Sequence, residues 1–295
     1  MKDPVVLNKL KSFWVNLKIV CRMIKIEHSI FALPFAYAGI FLGSHGWPKF
    51  VPFVLLTIAM VAIRSFAMAY NRLADINIDV DNPRTRGRAL VTGELSVSFT
   101  TFFIIACGVI FILACMGLNE VCLQLSPFAL IWSALYSYTK RFTKLCHFFL
   151  GSVLALAPIA GWISVDPRFH IAQFLMFFGV LFWVAGFDIL YATQDRKFDR
   201  NYGLHSIPAQ LGLDKSLTIS TFCHVNTAVF FLLAGFAAGM GFIYFLVVGV
   251  SCIILIYEHS VISSKDMSKV NMAFFTLNGA ISILFFFGVM LDVLT

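Results

Sequence analysis

The residues best suited to chemistry are acidic and repeat at a helical interval. In the run Asn71-Arg72-Leu73-Ala74-Asp75-Ile76-Asn77-Ile78-Asp79, the residues Asn71, Asp75 and Asp79 are spaced four apart. Positions four apart share one face of a helix. Asp195 and Asp199 repeat the interval in the second half of the chain. Two carboxylates and an amide on one face, at the end of an apolar stretch, make a hard-oxygen surface. Mg2+ suits it, being held typically by one or two carboxylates plus substrate phosphates. A lone acidic pair is common on solvated helix faces. Two copies, each closing an apolar stretch and each followed by a long loop, repel one another and need cations to neutralise them. Two metals clamping a diphosphate would do so. Asn71, Asp75, Asp79, Asp195 and Asp199 are therefore the candidate metal ligands.

Tyr136-Ser137-Tyr138-Thr139-Lys140-Arg141 lies between the two acidic motifs. Alone it reads as a topology-setting basic loop with interfacial aromatics. Beside a metal–diphosphate site, Lys140 and Arg141 become candidates to grip phosphate oxygens. They join the aspartates as the candidate catalytic set. Arg64 falls inside an apolar stretch, where a charge is expensive and usually functional. With Asn71, Arg72, Arg88, Tyr136, Asp188 and Tyr191, it makes up the candidate substrate-binding set.

What positions these residues follows from composition. Of the 295 residues, 60% are hydrophobic and 13% charged, with a mean hydropathy of +0.87. Soluble chains run about 45–50% apolar and about 25% charged, so lipid must solvate most of this one. In hydrocarbon the backbone must pair with itself, in helices or a closed barrel, and long apolar runs favour helices over short alternating strands. The expected fold is an all-α, multi-pass transmembrane bundle. Nine apolar stretches are each near the ~20 residues a span needs: 28–45, 51–70, 99–117, 121–138, 145–165, 171–192, 217–238, 241–258 and 271–293. Residues 1–27 carry Leu10, Phe13, Trp14, Leu17, Val20 and Ile24 at helical spacing and read as an interfacial amphipathic helix. No second domain is expected.

The loops alternate in charge. Of the 22 basic residues, all but Lys49, Arg168 and the intraspan Arg64 fall on one side. The positive-inside rule makes that side cytoplasmic, with the N-terminus there and the C-terminus outside. The long loops 71–98 and 193–216 are both on it, and connections of that length are commonly functional. The net charge of +7 thus reads as topology and anionic lipid contact, with nucleic acid excluded. Seven cysteines without a CxxC pair read as buried apolar residues, and seven histidines without HxxxH spacing give no metal centre. No signal-peptide pattern is expected at the N-terminus.

This constellation resembles, over essentially the whole chain, the UbiA superfamily of intramembrane prenyltransferases. Asn71-xxx-Asp75-xxx-Asp79 and Asp195-xxx-Asp199 are similar to its two Asp-rich motifs, and Tyr136-xxx-Lys140 to its tyrosine–lysine motif. Arg64 and Asp188 fall where the family has polar residues. Pro83–Arg88 and Gly203–Pro208 resemble the stretches after each acidic motif. Ile26–Phe35 looks like the 4-hydroxybenzoate polyprenyltransferase branch. One position departs, since Arg72 stands where the best-known ubiquinone enzymes carry Asp, which bears on the acceptor and not on the reaction.

The resemblance implies about nine helices around a central cavity capped by the polar loops. It implies a Mg2+-dependent transfer of a polyprenyl group from its diphosphate to an aromatic acid, with 4-hydroxybenzoate first. Dihydroxynaphthoate for menaquinone, or another branch's acceptor, stands as the alternative. The expected location is a bacterial inner membrane. A cation transporter would also carry intramembrane acids and an internal repeat, but its site should sit near the midplane on broken helices.

Overall fold

The computed structural model describes residues 4–25 and 31–295, with side chains from residue 14 onward. Leu10, Phe13 and the segment 26–30, on which parts of the amphipathic stripe and of the branch resemblance rest, lie outside the described side chains or residues.

Each of the nine apolar stretches contains a helix. In chain order the elements open with α1 (Pro4–Met23), α2 (Leu33–Ser44), α3 (Phe50–Ala74) and the short α4 (Ile76–Asp81). Next come α5 (Val97–Leu118), α6 (Glu120–Thr139), α7 (Cys146–Ile163) and α8 (Ile171–Ala192). Short α9 (Arg196–Tyr202) and α10 (Ile207–Leu211) lead into α11 (Leu213–Ala238) and α12 (Phe242–Val261). The last stretch runs from α13 (Val270–Met272) through a π-turn, Ala273–Leu277, into α14 (Asn278–Leu294). Among the described residues, eight helices are long and apolar enough to cross a membrane, and α2 is a shorter apolar helix.

The shortness of α2 has a packing reason. Phe35, Ala36, Ala38 and Ile40 are all fully buried, so α2 is enclosed by protein and need not match the bilayer. A helix apolar on every side is a buried helix. It crosses α7 with the backbones touching: a Cβ on Gly161 would sit 1.9 Å from the Ala36 carbonyl oxygen, and one on Gly39 2.1 Å from that of Pro158. Small residues at such crossings let membrane helices pack without a hydrophobic driving force. Phe35 also meets Trp183 at 5.1 Å and Phe285 at 5.1 Å between ring centroids, joining α2 to α8 and α14.

The outward faces are apolar. On α5, Phe102, Ile105, Val109, Ile110, Leu113 and Met116 are all exposed, an apolar extent that a water-soluble surface rarely shows. This is an integral membrane protein.

The long loops are packed structures. Residues 82–96 form a series of turns whose Ala89, Leu90 and Leu95 bury against Val20 of α1, Ile24 just beyond it, Ala69 of α3 and Ile104 of α5. The inner end of α1 therefore supports the loop that follows the first acidic motif. After the second motif, α9 stops at Gly203, whose φ of 81° suits glycine. Ser206 then caps α10 by accepting the Ala209 N–H.

Candidate active site

Both acidic motifs are built on the same local device. α3 ends at Ala74, and Asp75 takes φ −97°, ψ 8° before α4 begins. Beyond α8 a single 3-10 turn, Thr193–Asp195, ends on Asp195 at φ −96°, ψ 1° before α9 begins. These are the same sparsely populated bridge conformation. The helical bonds continue across the first break, from Asp75 N to Asn71 O at 3.0 Å and from Asp79 N to Asp75 O at 2.8 Å. Asn71, Asp75 and Asp79 thus keep the shared face that their spacing predicts. Asn71 also donates to Asp75 Oδ2 at 3.0 Å and accepts from Arg72 at 2.8 Å.

The neutralising cations come from the chain itself. Arg88 pairs with Asp79 at 2.5 Å, Lys140 with Asp199 at 2.8 Å and Arg141 with Asp75 at 3.1 Å. Arg84 takes Asp195 in a bidentate grip through Nε and Nη2, and Asn82 donates to the same carboxylate at 3.2 Å. Ser206 donates to Asp199 Oδ2 at 2.9 Å. The loop after the first motif thereby holds an acid of the second, and the α6–α7 turn holds one acid of each. The acids need cations, as expected, and lysine and arginine supply them here where two metals were expected to. Among the described residues, no three His, Cys, Asp or Glu side chains are grouped as a metal-holding set.

Electrostatics at the loop end follow from burial. Burial pushes the Asp75 carboxyl above the usual carboxylate range, with the Arg141 hydrogen bond pulling the other way. Burial opposes the charge on Arg84, but the paired Asp195 outweighs it and holds the guanidinium above its ordinary value.

These groups surround one cavity of about 830 Å³. Every residue of the predicted catalytic and substrate-binding sets lines it. The aspartates and their partners form one end. Met68, Leu150, Leu154 and Phe187 form the apolar part, with Phe31 and Phe274. The rings of Phe31, Phe187 and Phe274 are within 5.3–5.7 Å of one another, and Tyr191 lies 4.2 Å from Phe274. The sequence assigned Tyr191 to the site and left the three phenylalanines unassigned. It also missed Asn82, Arg84 and His147 as cavity residues. Arg84 was within reach, since it lies in the basic run Pro83–Arg88. His147, on an apolar stretch without metal spacing, gave no signal.

The sequence profile of the UbiA prenyltransferase family matches residues 32–282. The chain belongs to that family. This membership retires the transporter reading. The UbiA homologue of Aeropyrum pernix K1, solved in its apo form, superposes with a TM-score of 0.83 at 33% identity, covering 91% of this chain and 99% of that one. A UbiA homologue from Archaeoglobus fulgidus, solved with DMAPP and Mg2+, gives a TM-score of 0.72 at 21% identity over 93% and 98% of the two chains, and supports the fold alone. Among sequences, the 4-hydroxybenzoate octaprenyltransferase of Methylobacillus flagellatus is 26% identical over 278 residues, 93% of this chain and 91% of its own. That of Colwellia psychrerythraea is 25% identical over 289 residues, 98% and 100%. This UbiA-family protein is a prenyltransferase whose family fold encloses the cavity described above.

Proposed function

We propose that the protein transfers a polyprenyl group from its diphosphate to the ring of 4-hydroxybenzoate in quinone biosynthesis. The observation that carries this reading is the two-ended cavity. A prenyl diphosphate is a dianionic or more highly charged head on a water-insoluble chain, and the cavity offers charged groups at one end and aromatic and aliphatic ones at the other. The curated relatives named as 4-hydroxybenzoate octaprenyltransferases support the choice of acceptor and donor class.

The donor set fits Mg2+, being carboxylate and amide oxygen throughout. Asp75 and Asp79 with Asn71, and Asp195 with Asp199, would hold it. The carboxylates stand in pairs, so substrate phosphates and water complete the shell, as is usual for this ion. The A. fulgidus homologue of the same fold carries DMAPP and Mg2+. When bound, the ion supplies Lewis-acid neutralisation of the departing diphosphate.

The chain's own residues supply the rest. Arg84, Arg88, Lys140 and Arg141 each hold a carboxylate that would bind the ion, and so stand where they would grip the phosphate oxygens. Phe31, Phe187, Tyr191 and Phe274 exclude water around the allylic carbon and present ring faces to its developing positive charge. Arg64, on the cavity wall two helical turns from Asn71, meets the acceptor's carboxylate, with Tyr136 and Arg72 lining the same cavity. The basic loops support a reading in which the charged end faces the cytoplasm from a bacterial inner membrane.

The test is a competition. Purified protein in lipid nanodiscs receives Mg2+, one polyprenyl diphosphate and equal 4-hydroxybenzoate and 1,4-dihydroxy-2-naphthoate, and products are separated by mass. Prenylated 4-hydroxybenzoate is expected to dominate. Dominance of the naphthoate product would move the enzyme to menaquinone synthesis.

A further inference from the structure

Among the described residues, six acids line the cavity, and five of them face a lysine or arginine. Asp75, Asp79, Asp195 and Asp199 are paired as above, and Glu94 pairs with Arg22. The sixth, Asp188 of α8, forms no ion pair with lysine or arginine among the described residues. Its partner is His147 of α7, with Nδ1 2.7 Å from Asp188 Oδ2. His147 is 2% exposed.

The backbone fixes the tautomer of that histidine. The Ile207 N–H points at His147 Nε2 at 3.3 Å. An N–H only donates, so Nε2 presents its lone pair and the ring proton is on Nδ1, where it is donated to Asp188. Asp188 is thus oriented by the Nδ1–H of His147. Its other oxygen, Oδ1, accepts no hydrogen bond among the described residues, and the side chain is 19% exposed, toward the cavity.

Two features separate Asp188 from the other acids. A guanidinium or ammonium at contact distance favours the ionised carboxylate and makes it a poor proton acceptor, and Asp188 has none. Its level is also different. It precedes Asp195 by two helical turns on α8, about 10 Å further along the helix, beside Phe187 and Tyr191 and away from the diphosphate end. That is the level at which the prenyl carbon and an acceptor ring would meet.

Resting on the reading of the site as an aromatic prenyltransferase, we propose that Asp188 is the base that removes the ring proton, and that His147 is the residue that positions it. The allylic C–O bond breaks with its electron pair leaving on the diphosphate. A ring carbon ortho to the hydroxyl uses a π pair to form the new C–C bond. The hydrogen on that carbon leaves as a proton to Asp188 Oδ1, the C–H pair restores aromaticity, and the proton passes to water as the products leave. The Ile207 N–H that sets His147 follows Ser206, which donates to Asp199. One short segment therefore ties the base to the diphosphate end.

The experiment compares kcat with ordinary 4-hydroxybenzoate and with acceptor deuterated ortho to the hydroxyl. In the wild type, ionisation limits the rate and the isotope effect stays near unity. In His147→Leu, kcat is expected to fall at least about tenfold and a primary isotope effect of about two or more to emerge, because proton removal becomes limiting. KM for the prenyl diphosphate should hold. His147→Asn, which keeps an N–H donor near the position of Nδ1, should restore most of kcat and abolish the isotope effect. A folded His147→Leu protein with wild-type kcat and no isotope effect would overturn the proposal. If that variant does not fold, Asp188→Asn decides: a slow enzyme with a primary isotope effect supports the base, and its absence overturns it. Failure of the wild type to prenylate 4-hydroxybenzoate at all would overturn the underlying reading instead, and is read in the same assay.

Discussion

Asp75 is a carboxylate that folding disfavours. Its pKa is raised by burial, so the ionised form costs the folded state energy. That cost is absent below the unfolded value near 3.9 and grows as pH rises through the raised folded value. Asp75→Asn should therefore have a thermal midpoint at pH 8 no lower than the wild type, with any gain shrinking toward pH 4. Its kcat should fall by at least about a hundredfold, as when a group that stabilises transition-state charge is removed. Thermal melts across pH with parallel turnover assays check both, and a lower midpoint at pH 8 would show that the Arg141 pair outweighs burial. At this scale the sequence was informative wherever spacing carried the signal. Asn71, Asp75 and Asp79 needed only the four-residue repeat, and Asp195 and Asp199 its recurrence. The ion pairs were not legible, because Arg84–Asp195 spans 111 positions and depends on how a loop folds back.

The helices owe their legibility to apolar length. What length does not reveal is which helix touches lipid and which is enclosed. α2 was expected as a span and is a buried helix of 12 residues, held by the Gly39–Pro158 and Gly161–Ala36 contacts. At Gly161 a side chain would meet backbone on the neighbouring helix, and neither backbone can yield without moving its helix. Gly161→Leu is expected to lower the thermal midpoint sharply or prevent folding, and Gly161→Ala to do so more mildly. Gly249, on α12 with open space around it, serves as control, and Gly249→Ala should melt like the wild type. Equal melting of the Gly161 variants and the control would show that the α2–α7 contact is dispensable. The breaks at Asp75 and Asp195 were also beyond the sequence, which predicts a continuous helical face. The structure keeps the face and adds a matched bend at each first aspartate, which fits a repeat in the two halves.

At the scale of the molecule, the charge asymmetry of the loops and the convergence of the acids on one cavity end describe the same polarity. The positive-inside rule then predicts that residues 82–96 and 196–212 face the cytoplasm. Single cysteines at Arg86 and Arg200, in a background freed of the native cysteines, should resist a membrane-impermeant maleimide in intact cells and react after permeabilisation, while one at Trp47 should react in both. Labelling of Arg86→Cys in intact cells would invert the orientation. The central claim is that the aspartate end of the cavity takes the diphosphate while the prenyl group passes to an aromatic ring. It is tested most directly by following a radiolabelled prenyl diphosphate in a single turnover with purified protein, 4-hydroxybenzoate and Mg2+. The account predicts label on the acceptor ring with one diphosphate released per prenyl group transferred, and loss of both in EDTA and in Asp195→Asn. Label that stays on the diphosphate, or transfer that persists undiminished in EDTA, would contradict it.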